Sequence, residues 1–158
     1  MPREEKENSM SGDFIQENEA SRRELRELVE RLQDTDFDRE AGNGWTVSTL
    51  LCHVAFWDAL VLHRLTQWQR SGFEAVRLTL LAIDSVNEAG KTIFRAVPGR
   101  RAAQLALASA EAVDGEAAKL SSELVEQVVS AGLERALQRS LHRLEHLRKI
   151  KDALQRGA

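Results

Sequence analysis

Apolar side chains in this chain recur mainly three or four residues apart, and alternating β-branched runs are absent, so the pattern is helical throughout. The clearest stripe follows Trp45, where Val47, Leu50, Leu51, Val54, Trp57, Val61, Leu65 and Trp68 share one broad face. Thr46 is a suitable N-cap for this helix and Ser71-Gly72 a suitable stop. A helix before it is predicted from about Asp13 to Gln33, with Ile15, Leu25, Leu28, Val29 and Leu32 facing inward, and it ends in the turn-rich DTDFDREAGNG. The 27 residues from Gly72 to Pro98 form a long connection with a shorter helix at about Leu80 to Ala96, weakened at Gly90. An alanine-rich third principal helix is predicted over Gly99 to Ser122, and a fourth over Leu133 to Gln155 after a break at Ser130-Ala131-Gly132.

Four principal helices and no strand make an all-α four-helix bundle. Short loops force neighbours to be antiparallel, whereas a crossover this long between the second and third helices can return the chain along the whole bundle. Residues 1 to 11 are polar and unpatterned and read as a disordered leader, which leaves 12–158 as a single domain. A chain of 158 residues with 42% hydrophobic content can build one continuous core.

Charge narrows the partners. The 22 basic and 25 acidic residues are mixed along the chain, giving a net charge of -3 and no electrostatic footprint for nucleic acid or an anionic membrane. No segment approaches the roughly 18 apolar residues of a membrane span, and MPREEKENSMSGDF has no signal-peptide core, so a soluble cytoplasmic protein is expected. The stripe of the second helix and the alanines of the third offer more apolar surface than one bundle need hide, which points to a homodimer. Cys52 is the single cysteine, so any metal must be held by histidines and carboxylates.

Two of the four histidines stand one helical turn apart in HRLEH, residues 142 to 146, a spacing that lets both imidazoles reach one ion. Two imidazoles leave a metal underligated, so a third ligand is needed. His53 and His63 cannot share an ion, because ten helical residues separate them by about 15 Å. His53, beside Trp57 and Leu60 at the edge of the apolar stripe, is the one to join His142 and His146; His63 falls on the polar side. The alternative for His53 is a half-buried core histidine. On an ideal wheel, Leu133, Leu137, Leu141, Leu144 and Leu147 cluster nearly opposite His142 and His146, which turns the pair towards solvent. Val128, Ile150 and Ala153 share the histidine side, however, and a metal cleft on a bundle's flank needs only a shallow groove. Cys52 reads as buried packing and Glu145 as helix-surface charge. Asp58 reads as a polar-side cap, with a supporting contact behind the metal ligands as the alternative; Asp84 and Asn87 are given no role.

The stretch GWTVSTLLCHVAFWDALVLHRL, residues 44 to 65, resembles the second helix of DinB-like bundles, in which a Trp-Thr pair precedes a histidine seven residues after the threonine. Here these are Trp45, Thr46 and His53. The closing HRLEHLRKI resembles the family's last helix, where an HxxxH pair supplies two further ligands. The resemblance implies an up-down-down-up arrangement and a divalent metal, zinc or nickel, bound by His53, His142 and His146. It also implies a metal-dependent enzyme acting on a small-molecule substrate: an S-transferase using a low-molecular-weight thiol such as bacillithiol or mycothiol, or a hydrolase. A noncatalytic bundle that binds a small molecule or partner, with a vestigial or structural metal site, is the alternative. Thr49 stands where the family often has an acidic residue, a departure that bears on helix capping.

Overall fold

A computed structural model describes the backbone of residues 3–156 and the side chains of 13–156. It is mostly helical. Six α-helices are present among the described residues: α1 (Arg3–Arg31), α2 (Val47–Ser71), α3 (Leu80–Phe94), α4 (Gly99–Ala117), α5 (Ser122–Ser130) and α6 (Ser140–Arg156). α2 packs most extensively against α4, α1 packs against α4 and α6, and α6 also meets α2. α1 begins well before the expected Asp13; of the residues read as a leader, Met1 and Pro2 and the side chains of 3–11 lie outside the described ones.

One expectation about the fold is overturned between α1 and α2. A two-stranded antiparallel hairpin, β1 (Glu40–Gly42) and β2 (Trp45–Thr46), occupies the segment read as a plain turn. Gly42, Asn43 and Gly44 all have positive φ, which the Gly-Asn-Gly sequence tolerates and most residues would not. The hairpin delivers Trp45 and the cap Thr46 to the start of α2. The Thr46 hydroxyl accepts from the Thr49 amide at 3.3 Å and the Thr49 hydroxyl accepts from the Thr46 amide at 2.7 Å. Thr49 thus completes the capping box that an acidic residue would make elsewhere.

The last third of the chain also differs from its pattern. α4 stops at Ala117, and the amphipathic run after it becomes the separate helix α5, with the Ser121 hydroxyl capping the Leu124 amide at 3.2 Å. α5 closes in a Schellman turn in which the Gly132 amide donates to Val129 and the Leu133 amide to Val128, with Gly132 at φ 65°. A 3-10 turn at Glu134–Ala136 intervenes before α6. Leu133 and Leu137 are therefore not on α6 at all, and Leu141 and Leu144, the next two of the leucine series, are exposed. The buried face of α6 is Arg143, His146, Leu147, Ile150 and Ala153.

The core falls into two apolar clusters. One gathers Leu25, Leu28 and Leu32 of α1 with Val47 to Ala55 of α2, the alanines 102 to 110 of α4 and Leu147 to Ala153 of α6. The other gathers Phe14 of α1, Val61, Leu65 and Trp68 of α2, Val113 and Ala117 of α4, and Leu137. Phe14, not Ile15, is the inward residue at that end of α1. Near the junction of the clusters come buried polar residues: Asn18 and Ser21 of α1, Asp58 of α2, Asp114 of α4, and Arg139 with Arg143 at the start of α6. The stripe of α2 and most alanines of α4 are consumed in these clusters, so the surplus apolar surface expected there is not found. The most exposed large apolar side chains are Leu80, Leu81 and Ile93, all on α3. No helix among the described residues is long and apolar enough to cross a membrane.

Candidate metal centre

His53, in the second turn of α2, meets His142 and His146 of α6 where these helices pack. The Nε2 atoms converge: His142 Nε2 lies 3.1 Å from that of His53 and 3.2 Å from that of His146. Nitrogens bound to one zinc at about 2.0–2.1 Å are about 3.0–3.4 Å apart for right-angled to tetrahedral bonding. The two pairs that include His142 already stand at that spacing. They are the group among the described residues whose ligand atoms could hold an ion, all within 4.8 Å of one another. His63, ten residues further along α2, is exposed and outside the cluster.

Burial sets the chemistry of the donors. Desolvation, with the neighbouring His146 adding to it, pushes the His53 pKa down to about 3, and desolvation with Lys149 nearby pushes His146 down to about 4. His142 is held well below the usual imidazole value, first by burial and then by the Arg139 guanidinium. At neutral pH all three rings are uncharged and carry lone pairs, the form a metal requires. Arg139 Nη2 lies 3.2 Å from His142 Nδ1. A guanidinium only donates, so Nδ1 accepts there and the His142 proton sits on Nε2; an ion held at Nε2 would require that proton to move to Nδ1 and the Arg139 contact to open. Among the described residues, Nδ1 of His53 and of His146 has no hydrogen-bond partner.

Behind the histidines lies a charged network that sequence reasoning missed. Arg139 Nε donates to Asp58 Oδ1 at 2.8 Å, and Arg143 Nε donates to Asp58 Oδ2 at 3.0 Å. Arg143 turns its other edge to Asp114, with Nη1 and Nη2 donating to the two carboxylate oxygens at 2.8 and 2.7 Å. Asp58 and Arg143 are both fully buried. Asp58 is therefore no polar-side cap: it anchors Arg139, which in turn touches His142, so it supports the histidines from behind. Asn18 binds the α6 entrance as well, its Oδ1 accepting from the Ser140 amide at 2.9 Å. The one available signal was arithmetic: Asp58 and Asp114 interrupt apolar stripes at buried positions, and arginines of the last helix were the cations left to match them.

The other sequence assignments sort cleanly. Glu145 is exposed and pairs with Lys149 at 2.9 Å, as expected of surface charge. Cys52 is buried and its thiol is raised to about 11 by desolvation, which leaves it packed and unreactive. Asn87, given no role, accepts from the Trp57 indole at 3.0 Å and so fixes α3 against α2 beside the histidines.

Trp45 stands edge-on to His53 with ring centroids 5.1 Å apart, and Trp57 approaches the same ring at 6.2 Å. The centre opens into a cavity of about 600 Å³ bounded by α2, α6, the chain before α3 and the turn after α5. A family model described as the DinB superfamily matches residues 17–155. The chain belongs to the DinB superfamily. That match spans both motif segments and every residue of the histidine cluster. No curated protein and no solved structure gives a significant match to this DinB-superfamily chain.

Proposed function

We propose that this DinB-superfamily protein is a metal-dependent enzyme whose ligands are His53, His142 and His146. The observation that carries the reading is the convergence of three uncharged imidazoles, with His142 Nε2 3.1 and 3.2 Å from the Nε2 atoms of His53 and His146. No fourth histidine, cysteine or carboxylate joins that cluster among the described residues, which supports a site open to a substrate rather than a closed structural one. Bound there, a divalent cation, zinc or nickel, supplies Lewis-acid chemistry that lowers the pKa of a thiol or water and polarises a carbonyl. The protein's own part is positional. Arg139, held by Asp58, packs beside the His142 ring, while Trp45 and Trp57 stand against the His53 ring. The activity favoured is thiol transfer with a low-molecular-weight thiol, or hydrolysis, on a small molecule admitted through the cavity.

The order of the two apolar clusters supports the up-down-down-up reading of the fold. Along α1 and α6 the chain runs from the Phe14 and Leu137 cluster to the Leu25 and Leu147 cluster, and along α2 and α4 it runs the other way. Residues 12–158 are then one domain, with the connection carrying α3 as its crossover.

Metal content of untagged protein tests the site. Replacing any one of His53, His142 or His146 by alanine should cut bound divalent metal several-fold, because two imidazoles cannot match a three-point chelate. His63→Ala should leave it unchanged. Stoichiometry that survives all three replacements, or that fails equally with His63→Ala, rejects the site; a screen of thiols against electrophiles and of hydrolysable esters and amides then addresses the reaction.

A further inference from the structure

The cavity beside the histidines is lined by more cations than anions. Five basic side chains reach it, Arg64, Arg77, Arg135, Arg139 and Lys149, against one acid, Glu145. Arg139 is neutralised from behind by Asp58, and Lys149 by Glu145. Arg77 is turned onto the Ala131 carbonyl. Arg64 and Arg135 have no carboxylate partner among the described residues, and Arg64 is half-buried. Burial and repulsion from Arg139 push the Arg64 guanidinium down, a cost that no carboxylate of the described chain offsets.

Placement gives these two arginines a direction. His53, Trp57, Val61 and Arg64 succeed one another along a single face of α2, and all four line the cavity. Arg64 is eleven residues beyond His53, about 16 Å along the helix axis, and its long side chain shortens that span. Arg135 precedes Arg139 by four residues and lines the same cavity, its charge felt at His142 and Glu145. Trp57, Leu60, Val61 and Leu133 give the cavity an apolar part, and Arg139, already paired with Asp58, lines it beside His142. We propose that Arg64 and Arg135 form an anion subsite in this cavity, so that the substrate is a small molecule carrying a carboxylate or phosphate beside an apolar group. Its reacting group lies at the histidines and its anionic group at the two guanidiniums, whose planar forks suit either oxyanion. This substrate class rests on the reading of the histidines as the reaction centre.

A matched pair of probes tests the subsite: 4-phenylbutyrate and its neutral amide, 4-phenylbutyramide, titrated by calorimetry and by quenching of tryptophan emission. In low salt the carboxylate should bind about tenfold more tightly than the amide. The preference should fall to within about twofold in the Arg64→Gln/Arg135→Gln double variant, stay intact in Arg101→Gln, and shrink in the unaltered protein as chloride is raised to about 0.5 M. Equal binding of the two probes, a preference that survives the double variant, or no binding of either at about 10 mM overturns the proposal. Repeating the titration after chelation separates the two readings. A preference that vanishes with the metal and ignores the arginines places the carboxylate at the histidines, so the subsite fails while the metal centre stands. A preference that needs the arginines in protein found to hold no metal supports the subsite and rejects the metal centre.

Discussion

His53, His142 and His146 are basic side chains kept uncharged by burial, which couples their site to acidity. In the unfolded chain each titrates near the ordinary imidazole value of about 6.5, while in the folded protein His146 is lowered to about 4 and His53 to about 3. Between those values the unfolded chain binds more protons than the folded one, so stability rises with pH in that window. Chelated protein should keep full stability above about pH 7 and lose it steadily from about pH 6.5 towards pH 4, with a slope of up to about 1.4 kcal/mol per pH unit for each ring. Urea melts at half-unit pH steps check this; midpoints that stay flat from pH 7 to 4.5 would contradict it, and His53→Gln should flatten the slope. The ring positions were legible because i, i+4 spacing is a rigid geometric statement. The contact between Arg139 and His142 was not, since a basic residue three positions before a histidine looks the same whether it faces solvent or a buried aspartate.

The series Leu137, Leu141, Leu144 and Leu147 suggests a single apolar helix face that the fold does not use. Two of those leucines stay exposed while Arg143 takes the central position. A wheel weighs each side chain alone, whereas burial of Arg143 depends on two carboxylates from α2 and α4 that no local pattern can reveal. Burial pushes the Asp114 carboxyl up against the opposing pull of Arg143, so the ion pair sets its own attraction against the loss of water. Arg143→Met should destabilise the fold by about 3–5 kcal/mol, because Asp58 and Asp114 are left buried with too few donors. Adding Asp114→Leu to that variant should recover a good part of the loss, and denaturant melts of the three proteins decide it. If Arg143→Met alone costs less than about 1 kcal/mol, the network is solvated and the account of α6 is wrong. The α2 stripe, by contrast, was read correctly from sequence because its inward positions are nearly all hydrocarbon and its cap is local.

For the molecule as a whole, the helical class and the family were visible in the chain, but the hairpin and the division of the last third into α5 and α6 were not. Both depend on turns: Gly42 to Gly44 and Gly132 adopt positive φ, and a glycine marks a break without fixing the element on its far side. Self-association is now expected through α3 rather than α2. Leu80 is 81% exposed and Leu81 77%, more than any other large apolar side chain described. Sedimentation should show a concentration-dependent dimer, and Leu80→Glu/Leu81→Glu should shift it to monomer without altering helicity. A dimer indifferent to that double change would have to use another face.

The polar layer between the two apolar clusters has a further consequence for how the chain finds its alignment. Hydrocarbon surfaces alone let neighbouring helices slide past one another by a turn, about 5.4 Å, at modest cost. Here such a slide would carry Arg143 away from both aspartates and into leucine and alanine, and would draw Asp58 into hydrocarbon as well. Only one sliding position pairs every charge, and that same position brings His53 opposite His142 and His146. The layer acts as a vernier: the helices cannot be well packed and out of step at once, so the site is assembled to within a fraction of a turn whenever the core is formed.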